Sequence, residues 1–536
     1  MLNRLPGAFF ISVFLISIVT TPSCRRARAS NVFTVTLASE FSGIDPNIRP
    51  SIDAAGERLR QLMFNSLVKK SEKLDYVPDL ATEIKRSDDG LTYTFTLHEN
   101  VKFHNGQPLS SADVKYTLET LIPSKSPKGA SFFYEELDNA TKKKTKKPYV
   151  ASIETPDAKT VVIKLNKPWL PLLSNLVAVA IIPVGTVEKQ KDQPIGSGPF
   201  KYVRKEGQTL VELERFADYW EGAPKIERLV VKVVKDANAL QAELRSGNVT
   251  LAPLHTNVTA GAFTVMGRDP NLQVSQFEGA NIIYMGFNTK KAPLDNVKVR
   301  QAIAYAINRE EIVKYLLRDQ AKVAHSLLPA ELWAYSANTK YNHDIAKAKQ
   351  LLDEAGFTDP DGDGPQMRFQ TEISLMISSG NIVTSQFSQV IQQNLNDVGF
   401  PIKIESLENN IVLTQFSRGQ FQMVISSWIG GNQDPIFLKD LFASSEIPET
   451  KEGGRNRHRY SNPEFDTLIN QAIDIAEHEK SLPLYVKAQD ILARDLPLLP
   501  LWYPANMVAV QKNVGNIKVE GSGDWRFIKD VTFEKK

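Results

Sequence analysis

The chain is nearly without cysteine. Cys24 stands alone among 536 residues, so no disulfide can form within one copy and the fold has to rest on its buried core. Long apolar runs are scarce as well. The one candidate, Ala8 to Val19, is 12 residues long, short of the roughly 20 that a membrane-spanning helix needs. Nothing else approaches that length, so the mature body is expected to be soluble. Charge of one sign is missing too: the formal +3 includes Arg4, Arg25, Arg26 and Arg28, which leaves the remainder at −1. A near-neutral body argues against the large basic face of a nucleic-acid binder. The short signatures of catalysis are also absent, with no GxSxG, no HExxH, no CxxC, no Walker lysine loop and no dinucleotide fingerprint. The seven histidines are scattered and none pairs with another at ligand spacing on a helix. Neither metal nor other cofactor is expected, and the chain reads as a non-enzyme.

What is present begins with a secretory pattern. Arg4 lies in a short basic start, the apolar run follows, and small and polar residues close it. The body is long enough for two or three domains of roughly 150 to 200 residues. VFTVTL from Val32 alternates as a strand, and FSGIDPN follows as a turn. A helix is expected from Ala54 to Phe64, with Leu59, Leu62 and Met63 inward. LTYTFTL predicts a strand with one wet face after the Asp89-Gly90 turn, and Ser110 with Asp113 can cap the next helix. The lysine-rich segment NATKKKTKKP, residues 139–148, is expected to be a solvated loop. Asp359, Asp361, Asp363 and Gly364 imitate a calcium loop. The twelfth position is Gln370 rather than a bidentate glutamate, so an acidic turn is the expectation.

The most informative stretch is Asn281 to Ile312. Ile282 to Phe287 is a short apolar run with polar punctuation on both sides, the pattern of a strand buried on both faces. Val299, Ile303 and Ile307 then share one helix side while Lys298 and Arg300 stay wet, and Asn308 with Glu311 can cap another helix. A strand entering from one half of a protein and opening a new helical layer predicts a crossing between two lobes. Together with residues 79–119, IGSGPFKYV at 195–203, 214–254, FQMVISSWIGGNQDP at 421–435 and 460–510, this stretch resembles the solute-binding proteins of the peptide and nickel class of ATP-driven (ABC) importers. The resemblance runs in order across nearly all of 31–520.

That resemblance implies an α/β fold, two-lobed in the manner of periplasmic binding proteins, with mixed sheets and a first lobe enlarged by an extra subdomain. Lobe I would comprise 31–283 plus 504–536 and lobe II 284–503. It further implies capture of a small solute, a peptide or peptide-like molecule, between the lobes of a monomer and its delivery to a membrane permease. Binding of a nickel chelate or oligosaccharide, or an extracellular hydrolase on the same scaffold, stays open as an alternative. Cys24, directly after the apolar run, resembles the lipidation site of bacterial lipoproteins. The protein would then be exported to the periplasm or the outer face of the cytoplasmic membrane and held by a lipid through the tether 25–30, ordinary cleavage with a soluble product being the alternative.

The expected ligand residues follow from the same resemblance. Ser51, Ile52 and Asp53 stand where family members meet the ligand backbone, Tyr284 at the outward crossing, and Trp502 and Tyr503 on the returning strand. For each aromatic, core packing is the competing reading. Trp428, Gly430, Gly431, Asn432 and Asp434 form a glycine-rich loop after a strand, a mixture of flat apolar wall and backbone polar groups that small-molecule clefts use. Peptide-binding members hold an aspartate where this chain has Gly431. Either the solute lacks a free amino terminus or another acid replaces it, and Asp434-Pro435 reads as turn chemistry. Arg457 and Arg459 could face an anionic ligand, solvated surface being the expected state.

Overall fold

The apolar run at the centre of the sequence is buried from both sides because its alternate residues enter two different cores. Ile282 and Tyr284 pack with Phe437, Leu441, Phe442, Phe465 and Tyr485, while Met285 and Phe287 pack with Val299, Ile303, Ile307, Phe387 and Leu395. Each of the two layers of helices therefore covers one face of a sheet built around Ile282–Phe287. The computed structural model describes residues 32–49, 53–137, 144–362, 364, 366–430, 433–450, 454–475 and 477–534.

Three larger sheets carry the fold. A seven-stranded sheet runs in the order Phe200–Glu206, Leu210–Arg215, Arg228–Val233, Val32–Leu37, Leu251–Pro253, Asn506–Gln511 and Leu272–Phe277. Val32–Leu37 lies parallel to Arg228–Val233 and to Leu251–Pro253, as its central burial requires, while Asn506–Gln511 returns antiparallel. A six-stranded sheet places Ile282–Phe287 between Leu498–Pro504 and Met423–Trp428, antiparallel to both. A third, four-stranded antiparallel sheet, Ala81–Arg86, Thr92–Leu97, Thr160–Leu165 and Val150–Glu154, has its own core around Phe95, Phe103, Leu118 and Trp169. The architecture is α/β with mixed sheets, and the small antiparallel sheet is the extra unit on the first half.

The chain passes between the two large sheets twice. It leaves the seven-stranded sheet after Phe277 and enters the six-stranded one at Ile282, then returns through Ala505 between Pro504 and Asn506. The two passages run side by side, since Phe277 is opposite Asn506 in one sheet and Ile283 opposite Trp502 in the other. Sheet membership places Ile282 and Ile283 with the second half, two residues ahead of the expected boundary at 283, and Pro504 stays with it. A third segment braces the crossing: the Ala280 amide donates to Gly521 O at 2.9 Å, and the Asn506 amide group donates to Glu278 O and Glu520 O, each at 2.9 Å.

Local chemistry sets most element ends. The Ser110–Asp113 capping box forms, and Asn308 accepts from the Glu311 amide at 3.0 Å. In the lysine-rich segment the expectation of a loop is corrected for Lys144–Pro148, a strand antiparallel to Phe133–Leu137; Lys147 pairs with Glu136 across that ribbon, so opposite charge offsets the lysine repulsion. Residues 138–143 lie outside the described residues. The acidic turn behaves as a turn: Asp359 accepts from the Gly362 amide at 2.9 Å and lies 3.5 Å from Arg368, while Asp363 lies outside the described residues.

Candidate functional site

The loop that follows Met423–Trp428 projects toward the crossing. Gly430 takes φ +77, which glycine adopts freely, and its amide donates to Asn281 Oδ1 at 2.9 Å, so the loop is tied to the outward passage at its start. Gln433 is buried and adds a second tie, its amide group lying 3.4 Å from Asn281 Oδ1 and 3.5 Å from Ser522 O. Its own carbonyl oxygen accepts from Lys70 Nζ at 3.0 Å. Lys70 belongs to the hairpin Val68–Lys70 and Tyr76–Pro78 of the first half, and from that hairpin the Tyr76 hydroxyl donates to Asp434. The two halves therefore meet here through side chains as well as through the chain passages.

Trp428 supplies an apolar plane. It is half-buried, packs edge-on to Phe437 with centroids 5.0 Å apart, and donates its indole N–H to the Tyr284 hydroxyl at 3.2 Å. Tyr284 is 1 % exposed, so it positions Trp428 from beneath. Beyond Asp434 stand Tyr485 and Trp333, whose rings meet edge to face at 5.5 Å, and Trp333 stacks on His478 at 4.0 Å. On the wall of the first half, Arg58, Asp524 and Lys70 are all half-buried. A separate contact, Lys167 to Asp474 at 3.2 Å, joins the extra unit to the second half.

Burial dominates the electrostatics. It lowers the Lys70 pKa although Asp524 and Asp434 oppose the shift, and it lowers Arg58 to about 10 against Asp524. Burial also raises the Tyr76 pKa well above the usual range, with Asp434 adding to it, so Tyr76 is a firm donor at neutral pH. Among the described residues no group of three or more His, Cys, Asp or Glu could hold a metal ion. No helix among them is long and apolar enough to cross a membrane.

The expected residues separate into those at this meeting point and those elsewhere. Trp428, Gly430 and Asp434 are brought together, with Tyr284 behind them. Asp434 does accept from the Ile436 amide at 2.8 Å, as turn chemistry requires, but it also bonds Tyr76 across the gap. Trp502 is corrected to a core residue, 1 % exposed and edge-on to Phe387 at 4.9 Å. Tyr503 is likewise buried, its hydroxyl within 2.5 Å of Ser326 O and 2.6 Å of Leu328 O. Alternation on the returning strand is masked because both of its faces are covered. Asp53 caps Ala54–Met63, accepting from the Gly56 amide at 2.6 Å. Ser51, Ile52, Gly431, Asn432 and Cys24 lie outside the described residues. Arg459 is no solvated surface residue: it donates to the carbonyl oxygens of Phe416, Ser417 and Arg457. Arg457 is half-buried with its guanidinium 5.4 Å from the Phe416 ring centroid. The sequence reading missed Asn281, Gln433, Lys70 and Tyr76. Only the polar punctuation at Asn281 hinted at any of them.

Two sheet-centred halves joined by a paired crossing, with polar loops facing each other beside it, define a protein that encloses a small molecule between lobes. A family model described as "Bacterial extracellular solute-binding proteins, family 5 Middle" matches residues 75–448. The chain belongs to this family of solute-binding proteins. Heme-binding protein A of Haemophilus influenzae is 30% identical over 518 residues, covering 91% of this chain and 90% of that protein. The structure of the oligopeptide-binding protein AppA of Bacillus subtilis, in complex with a nonapeptide, has a TM-score of 0.74 at 27% identity, covering 94% of this chain and 99% of that one. The ABC transporter substrate-binding protein CtaP of Listeria monocytogenes has a TM-score of 0.81 at 24% identity, covering 94% and 99%, and so shares the two-lobed fold.

Proposed function

We propose that this chain captures a peptide or peptide-like solute between its lobes and delivers it unaltered to the membrane permease of an ATP-driven importer. The observation that carries the reading is the paired double passage at 278–281 and Ala505, with the Gln433–Asp434 loop and the Lys70–Tyr76 hairpin facing one another beside it. A solute shifts the lobes toward closure only through contacts that exist in the closed form, and these two loops supply such contacts. The choice of peptide draws on the nonapeptide held by AppA and on the local mixture of the Trp428 plane with amide and carboxylate groups. Exported as a monomer, the protein would be held at the outer face of the cytoplasmic membrane by a lipid on Cys24.

Incubation with a pool of oligopeptides, gentle repurification and mass spectrometry tests capture. Recovery of intact peptide, together with contraction in small-angle scattering, is expected. Cleaved fragments would favour the hydrolase reading, and an empty protein would sink the peptide assignment. Metabolic palmitate labelling of the parent chain but not of Cys24→Ser tests the anchor.

A further inference from the structure

We propose that Arg58 and Lys70, which flank the segment 522–525, form a carboxylate-binding site on the first lobe's wall. The proposal rests on the capture reading above and assigns the chemistry of one end of the solute. Most of the other buried cations among the described residues are spent. Arg49, Arg60 and Lys128 all pair with Glu57, Arg526 pairs with Asp79, and Arg300, Arg309 and Arg459 donate to backbone carbonyls. Arg58 stands apart from them. Its guanidinium lies 5.6 Å from the Trp525 ring centroid, and among the described residues it has neither a hydrogen-bond acceptor nor an ion-pair partner. Lys70 gives one bond to Gln433 and makes no ion pair among the described residues.

Asp524 acts electrostatically on both cations, yet it forms no ion pair with either. Lys70 reaches Gln433, whose amide group lies 3.5 Å from Ser522 O, and Arg58 lies over Trp525, so the two cations flank the segment 522–525 with an excess of N–H donors. A planar carboxylate supplies the missing acceptors, two of them in the fork geometry a guanidinium accepts. The neighbouring groups do not compete for the site. Asp434, the other acid acting on Lys70, already accepts from Tyr76 and from the Ile436 amide. His255, on which Arg58 acts, has its pKa lowered to about 4, mainly by burial, and is neutral at pH 7. Trp525, fully buried, fixes the platform under Arg58. Asp524 opposes the loss of charge that burial imposes on both cations, without using their donors.

The test measures binding of two probes by calorimetry: an equimolar pool of tripeptides with free carboxyl termini, and the same pool carboxamidated. Wild-type protein is expected to bind the free pool at least roughly tenfold more tightly than the amidated one. Arg58→Gln and Lys70→Gln should each erase most of that preference, bringing the affinities for the two pools together. Equal binding of both pools by wild-type protein overturns the carboxylate site and leaves solute capture standing, and this comparison does not depend on any variant folding. Binding of neither pool overturns the peptide reading and the site together. A preference for the free pool that survives in both variants also overturns the assignment to Arg58 and Lys70.

Discussion

Gly279 and the carbonyl oxygen of Pro504 are in backbone contact: a Cβ added to Gly279 would stand 1.9 Å from that oxygen and 3.0 Å from its carbon. The two passages between the lobes are thus pressed together at a point where only glycine fits. Gly279→Ala must push them apart. The expected result is a loss of about 1–3 kcal/mol in stability and a changed balance of open and closed forms, read by thermal unfolding and small-angle scattering. An unaltered melting temperature and scattering curve would show that the passages have slack.

Tyr76→Phe removes one hydroxyl from the contact with Asp434 and leaves the rest of the hairpin in place. The bond joins the two halves, so its loss should weaken the liganded, closed form by about 1.5 kcal/mol, roughly tenfold in solute release. Stopped-flow dissociation of a captured peptide checks this. An equal loss of stability in the ligand-free protein would mean that the bond serves the fold rather than closure.

Gly286 faces His458 in the interior of the second lobe. A Cβ at Gly286 would lie 2.4 Å from His458 Cε1 and 3.2 Å from Val424 Cγ1, so Gly286→Ala forces the ring or the strand to move. A loss of about 1–3 kcal/mol is expected in chemical unfolding. Gly286→Ala combined with His458→Ala should recover part of it, because the second change opens the space the first one needs.

The buried histidines set how the protein responds to mild acid. Burial lowers His104 and His255 to about 4 and His458 to about 3, from an ordinary 6.5. Below pH 6.5 the unfolded chain therefore takes up protons that the folded one refuses, and stability falls as pH drops toward 4. Each histidine contributes on the order of 1 kcal/mol or more. Glu57 adds a later stage. Its burial would raise the carboxylate, but Lys128, Arg60 and Arg49 outweigh that and bring it to about 2, so its stabilisation is present above pH 4.5 and is lost between 4.5 and 2. Melting temperatures measured from pH 8 to pH 3 should fall from about pH 6.5 downward, and His458→Gln should flatten the upper part of the slope.

Local patterns carried the elements well where one residue type does one job. Val32–Leu37 and Ile282–Phe287 follow their apolar patterns, and the caps at Ser110 and Asn308 use the side chains the sequence suggests. The resemblance supplied the two lobes. The site was less legible for two physical reasons. Trp502 and Tyr503 lie on a strand covered on both faces, so an aromatic pair at a crossing looks the same whether it lines a cleft or fills a core. Lys70, Tyr76 and Gln433 are ordinary in their own segments and gain meaning only where distant stretches meet, Lys70 and Gln433 being 363 positions apart. Arg58 is half-buried on an amphipathic helix, where an arginine usually reads as wet surface.

The pairing of the two passages in both sheets limits how this molecule can breathe. Adjacent strands registered above and below the same short gap permit a swing about a single axis but resist sliding or twisting of one lobe past the other. Cargo of different lengths would then be admitted by the angle of the aperture alone. Asn281 and Ser522, both within reach of the Gln433 amide group beside the crossing, are then expected to change their separation less on closure than Lys167 and Asp474, which join the halves through a separate contact.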